Sequence, residues 1–150
     1  MPGNIVVLVE HFDGKVDSLT FQLLTAGRRL ADGLKTSLTA LTIGHPLDGV
    51  AAALQGHGMD KIVLVENPAL GSAAGETQAR VIAQAARSIN TRCLLVGYSL
   101  IGMELTPAIA TLLEMNAFTN CVNLEMRDGA VVVTRPVFDS TQHAHVALGE

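Results

Sequence analysis

A three-layer α/β fold, built on a mostly parallel sheet and followed by a C-terminal β-hairpin, is what three features of this 150-residue sequence predict. β-branched apolar runs alternate with longer segments of helical periodicity, and Gly, Pro or Asp punctuates each pair. Further on, an Asp-Gly dipeptide separates two strand-like runs, which is a hairpin signal. With 49% hydrophobic and 16% charged residues the chain can build a core, and at this length folding buries roughly 70% of the unfolded surface. One domain over residues 1–150 follows, with no linker or low-complexity tract to divide it.

The first strand is Ile5 to Val9, whose unbroken apolarity suits a central strand covered on both faces. Asp17-Ser18 then offers an N-cap for a helix in which Leu19, Leu23, Ala26, Gly27, Leu30 and Leu34 share one face. Gly27 on that face lets the helix approach a sheet closely, which outweighs its propensity penalty of ~1 kcal/mol. Thr39 to Ile43 is the second strand. A Gly-His-Pro loop leads from it to a short helix, Gly49 to Gln55, capped by Gly56-His57-Gly58. Lys61 to Val65 is the third strand, and Asn67-Pro68 turns the chain toward a helix over Gly75 to Ile89. Cys93 to Val96 is the fourth, ending at Gly97.

The next helix, Met103 to Glu114, carries Leu105, Ile109, Leu112 and Leu113 together with Ala108 and Ala110, so it is apolar nearly all round. Two explanations stand side by side: a core helix in a five-stranded sheet, or a surface that another polypeptide covers. Pro107 is placed in its first turn, where a missing N–H costs little. Val122 to Met126 and Val131 to Thr134 flank the hairpin turn, and the alternation from Asp139 to His145 is a weaker signal for a last strand.

The charge balance, 10 Lys+Arg against 14 Asp+Glu for a net −4, leaves no basic stripe, which excludes nucleic acid as a partner. Cys93 and Cys121 lie in separate apolar runs and read as reduced core residues rather than a disulfide or zinc pair. The N-terminus lacks a basic targeting region and no apolar run reaches the ~20 residues of a membrane span, so a cytoplasmic location is expected.

Candidate chemistry is sparse. Gly97-Tyr98-Ser99-Leu100-Ile101-Gly102 follows a strand and opens a helix, where backbone N–H groups can cradle a phosphate. A plain tight turn is the better reading: the Lys-Ser/Thr of a phosphate loop is absent, and Glu104 would set negative charge nearby. His11, beside Glu10 at the end of the first strand, sits where open α/β sheets place ligands. His143 and His145 would share one face of a strand, with Cys121 as a third metal ligand only if the fold brought it there; exposed histidines are the simpler account, and no metal site is expected. No Gly-x-Ser-x-Gly elbow occurs, and Asp13, Asp17, Asp60 and Asp128 read as turn or cap residues. No catalytic constellation assembles.

The ordered set Val9-Glu10-His11 with Asp13-Gly14-Lys15, Leu23 to Ala31 (LLTAGRRLA), Gly58 to Ile62 (GMDKI), Asn67 to Leu70 (NPAL) and Thr134-Arg135-Pro136 resembles the N-terminal domain of electron transfer flavoprotein alpha subunits across essentially the whole chain. That resemblance implies a Rossmann-like sheet of the adenine-nucleotide-binding type and packing on a beta subunit. It also implies a separate C-terminal domain that holds FAD. That flavin domain has no counterpart before Glu150, so no cofactor is expected on these residues. The sequence departs from the family pattern where Met103-Glu104 follows Gly102 in place of Arg-Asp, at Thr119-Asn120, and at Val137 to Ser140 after Thr134-Arg135-Pro136. A stand-alone divergent relative and an excised domain both fit these departures.

Residues and resemblance converge on a non-catalytic interaction or scaffold domain of an electron-transfer system, paired with a beta-like subunit or with itself. The alternative is a stand-alone adenine-nucleotide binder for AMP or ATP, with Glu10, His11, Gly97, Ser99 and Gly102 as its contacts. A hydrolase ranks last, for want of a nucleophile and base pair.

Overall fold

A computed structural model of the chain describes residues 3–148. Four parallel strands form the main sheet: β1 (Asn4–Leu8), β4 (Leu38–Gly44), β5 (Lys61–Glu66) and β6 (Thr91–Leu95), in the order β5-β4-β1-β6. Between β1 and β4 come a small antiparallel hairpin, β2 (His11–Phe12) and β3 (Lys15–Val16), and the helix α1 (Ser18–Leu34). The remaining helices are α2 (Val50–Leu54), α3 (Gly75–Ser88) and α4 (Leu100–Leu113), with one 3-10 turn at Pro68–Leu70. The chain closes in a second, antiparallel sheet of β7 (Asn123–Arg127), β8 (Ala130–Val137) and β9 (Gln142–Ala147), ordered β7-β8-β9.

The predicted α/β class with a parallel sheet is what the structure has, and β1 shows why. Side chains alternate across a strand, so Ile5, Val7 and Val9 enter one core with Leu24 and Leu30 of α1 and Val50 and Leu54 of α2. Val6 and Leu8 enter the other, with Ala79 and Ile82 of α3 and Leu105 and Ile109 of α4. A strand wet on neither face has no polar positions, hence the continuous apolar run. α1 starts at the Asp17 cap, whose carboxylate accepts the Leu19 N–H at 2.8 Å, and stops at Lys35, which takes a left-handed conformation. Gly27 does what its placement predicts: a Cβ there would lie 2.8 Å from Leu38 Cδ1 and 3.2 Å from Val7 Cγ2.

Two expectations need correcting, a third is borne out, and one element goes beyond them. Among the described residues the parallel sheet has four strands, not five, because the chain after α4 runs without regular structure to β7 and then joins the separate antiparallel sheet. α4 begins at Leu100 rather than Met103, since Ser99 supplies the cap, and this puts Pro107 in the helix interior. There it cannot donate to the Met103 carbonyl. The weak last strand is a six-residue element, β9, held along β8. Finally, the β2–β3 hairpin was not anticipated, although Asp13-Gly14 at its turn repeats the Asp128-Gly129 signal of the β7–β8 hairpin. All four of these residues have positive φ.

Candidate functional site

β1 and β6 are parallel neighbours, so the loops that leave them emerge at the same carboxyl edge of the sheet. Here the structure brings together four of the five residues singled out from sequence. Ser99 is the N-cap of α4: its Oγ accepts the Gly102 N–H at 2.9 Å and donates to the Glu10 carboxylate, with 2.8 Å to each oxygen. Gly97 lies under this pair, where a Cβ would stand 2.8 Å from Leu19 Cδ2 and 3.0 Å from Glu10 Oε1. A Cβ at Gly102 would collide with the Gly97 carbonyl oxygen, so the turn closes only on glycine there. Glu10 is held from behind as well, its carbonyl accepting the Asp17 N–H at 2.9 Å beside the α1 cap.

The fifth residue, His11, faces another way. Its Nδ1 accepts the Gly14 N–H at 3.3 Å, which requires the proton on Nε2, and Nε2 donates to the Ile43 carbonyl at 3.0 Å. A Cβ on Gly44 would come within 2.7 Å of that Nε2. His11 therefore fastens the β2–β3 hairpin to the end of β4. Glu104 also differs from expectation: its carboxylate lies against Gly75, the first residue of α3, where the positive end of a helix dipole favours an anion.

Electrostatically the Glu10 carboxylate sits at the N-terminal turn of α4, linked to the Gly102 N–H through one hydroxyl, so this helix start already has an anion beside it. Around it the surface is apolar. Leu100 is 83% exposed, Tyr98 54%, Ile101 52% and Met103 41%. Only the other side of α4 is core, through Gly102, Leu105 and Ile109. The helix is therefore core on one face and exposed on the other.

The remaining candidates lie apart from this edge. His145 shares a 3.0 Å hydrogen bond with Thr134 across the β8–β9 ladder, while His143 pairs in register with Pro136. Burial pushes the Cys93 thiol up to about 11 and raises that of Cys121 as well, so both are held protonated at neutral pH. His57 stacks near Phe21 at 4.4 Å between ring centres, just past α2. Sequence reasoning missed a cleft of about 620 Å³ lined by β6 and the two residues after it, from Thr91 to Gly97. The segment from Glu114 to Cys121 also lines it, a juxtaposition that no local pattern carries.

The electron transfer flavoprotein domain family matches residues 5–148 of the chain. Among curated relatives, Protein FixB of Clostridium saccharobutylicum is 31% identical over 149 residues, covering 98% of this chain and 44% of that protein. The electron transfer flavoprotein subunit alpha of Clostridium acetobutylicum is 29% identical, with the same coverage of 98% and 44%. The acryloyl-CoA reductase electron transfer subunit beta of Anaerotignum propionicum is 28% identical over 82% of this chain and 34% of its own length. The chain thus spans less than half the length of these relatives.

Proposed function

The chain belongs to the electron transfer flavoprotein domain family, and from that premise we propose that it is a non-catalytic association domain, supporting electron transfer by packing against a partner subunit. One observation carries the reading: Tyr98, Leu100, Ile101 and Met103 stand exposed together at the carboxyl edge of the sheet. Contiguous apolar side chains on a surface mark association sites, and aromatic and methionine side chains are enriched in the centres of such interfaces. The Glu10–Ser99–Gly102 chain of hydrogen bonds beneath them fixes the start of α4, so the patch is presented on a rigid support. The partner in this reading is an electron transfer flavoprotein beta-like subunit or a second copy of the chain.

Flavin lies outside residues 3–148 in this reading. A pyrophosphate seated over the first turn of α4 would sit beside the Glu10 carboxylate, which already takes the Ser99 hydroxyl, and like charges in proximity repel. The same argument weighs against the nucleotide alternative. Thermal shift with AMP, ATP and FAD compares the two readings directly, because ligand at 100 times its dissociation constant adds ~2.7 kcal/mol.

The decisive measurement is size-exclusion chromatography with light scattering, on the chain alone and mixed with an electron transfer flavoprotein beta subunit. A discrete complex or a homo-oligomer is expected, and Leu100→Glu together with Ile101→Lys should disperse it without lowering the melting temperature. A chain that stays monomeric in both mixtures overturns the reading.

A further inference from the structure

A histidine that works through both ring nitrogens pins the β2–β3 hairpin to the main sheet. His11 Nδ1 accepts the Gly14 N–H at 3.3 Å inside the hairpin, and Nε2 donates to the Ile43 carbonyl at 3.0 Å near the end of β4. Glycines make room on both sides. A Cβ on Gly44 would lie 2.7 Å from Nε2, and one on Gly14 would lie 2.7 Å from the Asp48 carbonyl oxygen, so the hairpin turn rests directly on the loop after β4. Little else holds the hairpin among the described residues. Its ladder pairs only His11 with Val16 and Phe12 with Lys15, Val16 reaches the core cluster, and the Asp17 N–H closes the base on the Glu10 carbonyl. Phe12, next to His11, is 82% exposed.

This bridge exists in one protonation state. A neutral imidazole has one donor and one acceptor nitrogen, whereas the imidazolium has two donors. Once Nδ1 carries a proton, its N–H faces the Gly14 N–H across the same 3.3 Å, so a hydrogen bond is lost and two donors oppose each other. Nε2 goes on donating to Ile43. The ring therefore stays on β4 and the turn comes free.

The charged and titratable groups around the ring are otherwise engaged or exposed. On the hairpin side, the Glu10 carboxylate takes the Ser99 hydroxyl, Asp17 caps α1, and Asp13 and Lys15 are exposed. In the loop after β4, Asp48 is exposed and His45 Nδ1 lies 3.3 Å from Glu66 of β5, whose carboxylate also accepts the Leu47 N–H at 3.0 Å. The short helix α2, packed against β3, carries no titratable side chain. Acidification thus strengthens the His45–Glu66 tie that holds the loop while it breaks the His11–Gly14 tie that holds the hairpin turn.

We propose that His11 is a proton-operated latch: neutral, it ties the turn of the β2–β3 hairpin to β4; protonated, it frees Gly14 and lets the turn beside Phe12 move at the carboxyl edge of the sheet. Histidine is the residue type whose charge changes under mild acidification, and its protonation commonly operates such switches. Both bonds of the latch lie between His11 and Gly44, so the device is internal to these residues and independent of the association reading.

The test is NMR on the nitrogen-15-labelled chain, titrated from about pH 8 to about pH 5. At the upper end the His11 ring should be the Nε2–H tautomer, and on acidification the Gly14 amide should shift with the same midpoint as that ring. Hydrogen exchange, corrected for intrinsic rates, should show Gly14 about three- to tenfold less protected at the acid end, with β4 unchanged. His11→Asn, which keeps an acceptor near the Nδ1 position, should protect Gly14 equally at both ends; His11→Gln, which keeps only the donor to Ile43, should leave it equally unprotected. His45→Gln should retain the response. A Gly14 amide that titrates with His45 or with a carboxylate, protection that does not change with pH, or a response that survives in both His11 variants overturns the proposal. The parent titration decides by itself if those variants do not fold, and failure to bind a beta subunit leaves every one of these outcomes unaffected.

Discussion

Asp60 anchors the point where two strands of the parallel sheet begin. Its Oδ2 accepts the Leu38 N–H at 2.8 Å and the Arg28 guanidinium at 2.9 Å, so one carboxylate ties β4, the start of β5 and α1 together. The Leu38 N–H, and after it Arg28, hold the Asp60 carboxyl below its ordinary value of 3.8. A depressed folded pKa means stability that is present above the unfolded value and lost as pH falls through the folded one. Asp60→Asn should therefore be less stable than the parent at pH 7, by a modest amount because the side chain is half-exposed. That gap should narrow as pH falls below the usual carboxylate range, for instance at about pH 3. Urea denaturation at the two pH values checks this, and an equal gap at both would refute the ionised carboxylate as its source. From sequence, Asp60 reads only as a turn residue; its two partners lie 22 and 32 positions away, beyond any local pattern.

Among the elements, α4 is the one in which local sequence and tertiary role pull apart. Its cap is excellent, yet Pro107 interrupts the hydrogen-bond ladder midway, and Thr106 and Thr111 hydroxyls turn back onto the Gly102 and Pro107 carbonyls at 2.6 and 2.9 Å. Pro107 is exposed, so its replacement removes no core contact. Pro107→Ala should stabilise the chain by about 1–2 kcal/mol, the helix-propensity gain less the unfolded-state entropy that proline suppresses. A chemical denaturation midpoint that falls on this substitution would mean the proline shapes α4 for its neighbours. The start of the helix was misplaced from sequence for a related reason. Ser99 looks like part of a glycine-rich loop until its hydroxyl is seen capping Gly102 and bonding Glu10, a residue 89 positions earlier.

At the scale of the whole molecule, α1 joins the two sheets. Leu24 and Leu30 pack under β1, while Leu124, Met126 and Val131 of the antiparallel sheet enter the same core cluster. The approach is close: a Cβ on Gly33 would lie 2.6 Å from Met126 Cγ. Shared packing of this kind couples the sheets, so calorimetry should record one transition with equal calorimetric and van 't Hoff enthalpies, near ~100 kcal/mol for 150 residues around 60 °C. Two resolved transitions would show that the C-terminal sheet melts as its own unit. No described helix is long and apolar enough to cross a membrane, consistent with amphipathic faces used entirely for packing and surface.

Sequence by itself determined the class of the sheet, the central place of Ile5 to Val9, the cap at Asp17, and the Asp-Gly hairpin. Each is a local or periodic property: strand alternation, helix spacing and turn chemistry act over a few residues. It also pointed to Glu10, Gly97, Ser99 and Gly102 as one neighbourhood, because parallel strands place their exits on a common edge. Tertiary structure alone decided that Glu10 bonds to Ser99 while His11 turns to the Ile43 carbonyl, that a cleft runs beside β6, and that α4 is core on one face and open on the other. Those outcomes depend on which distant segments meet, and a pattern of period 2 or 3.6 carries the demand for a neighbour without naming it.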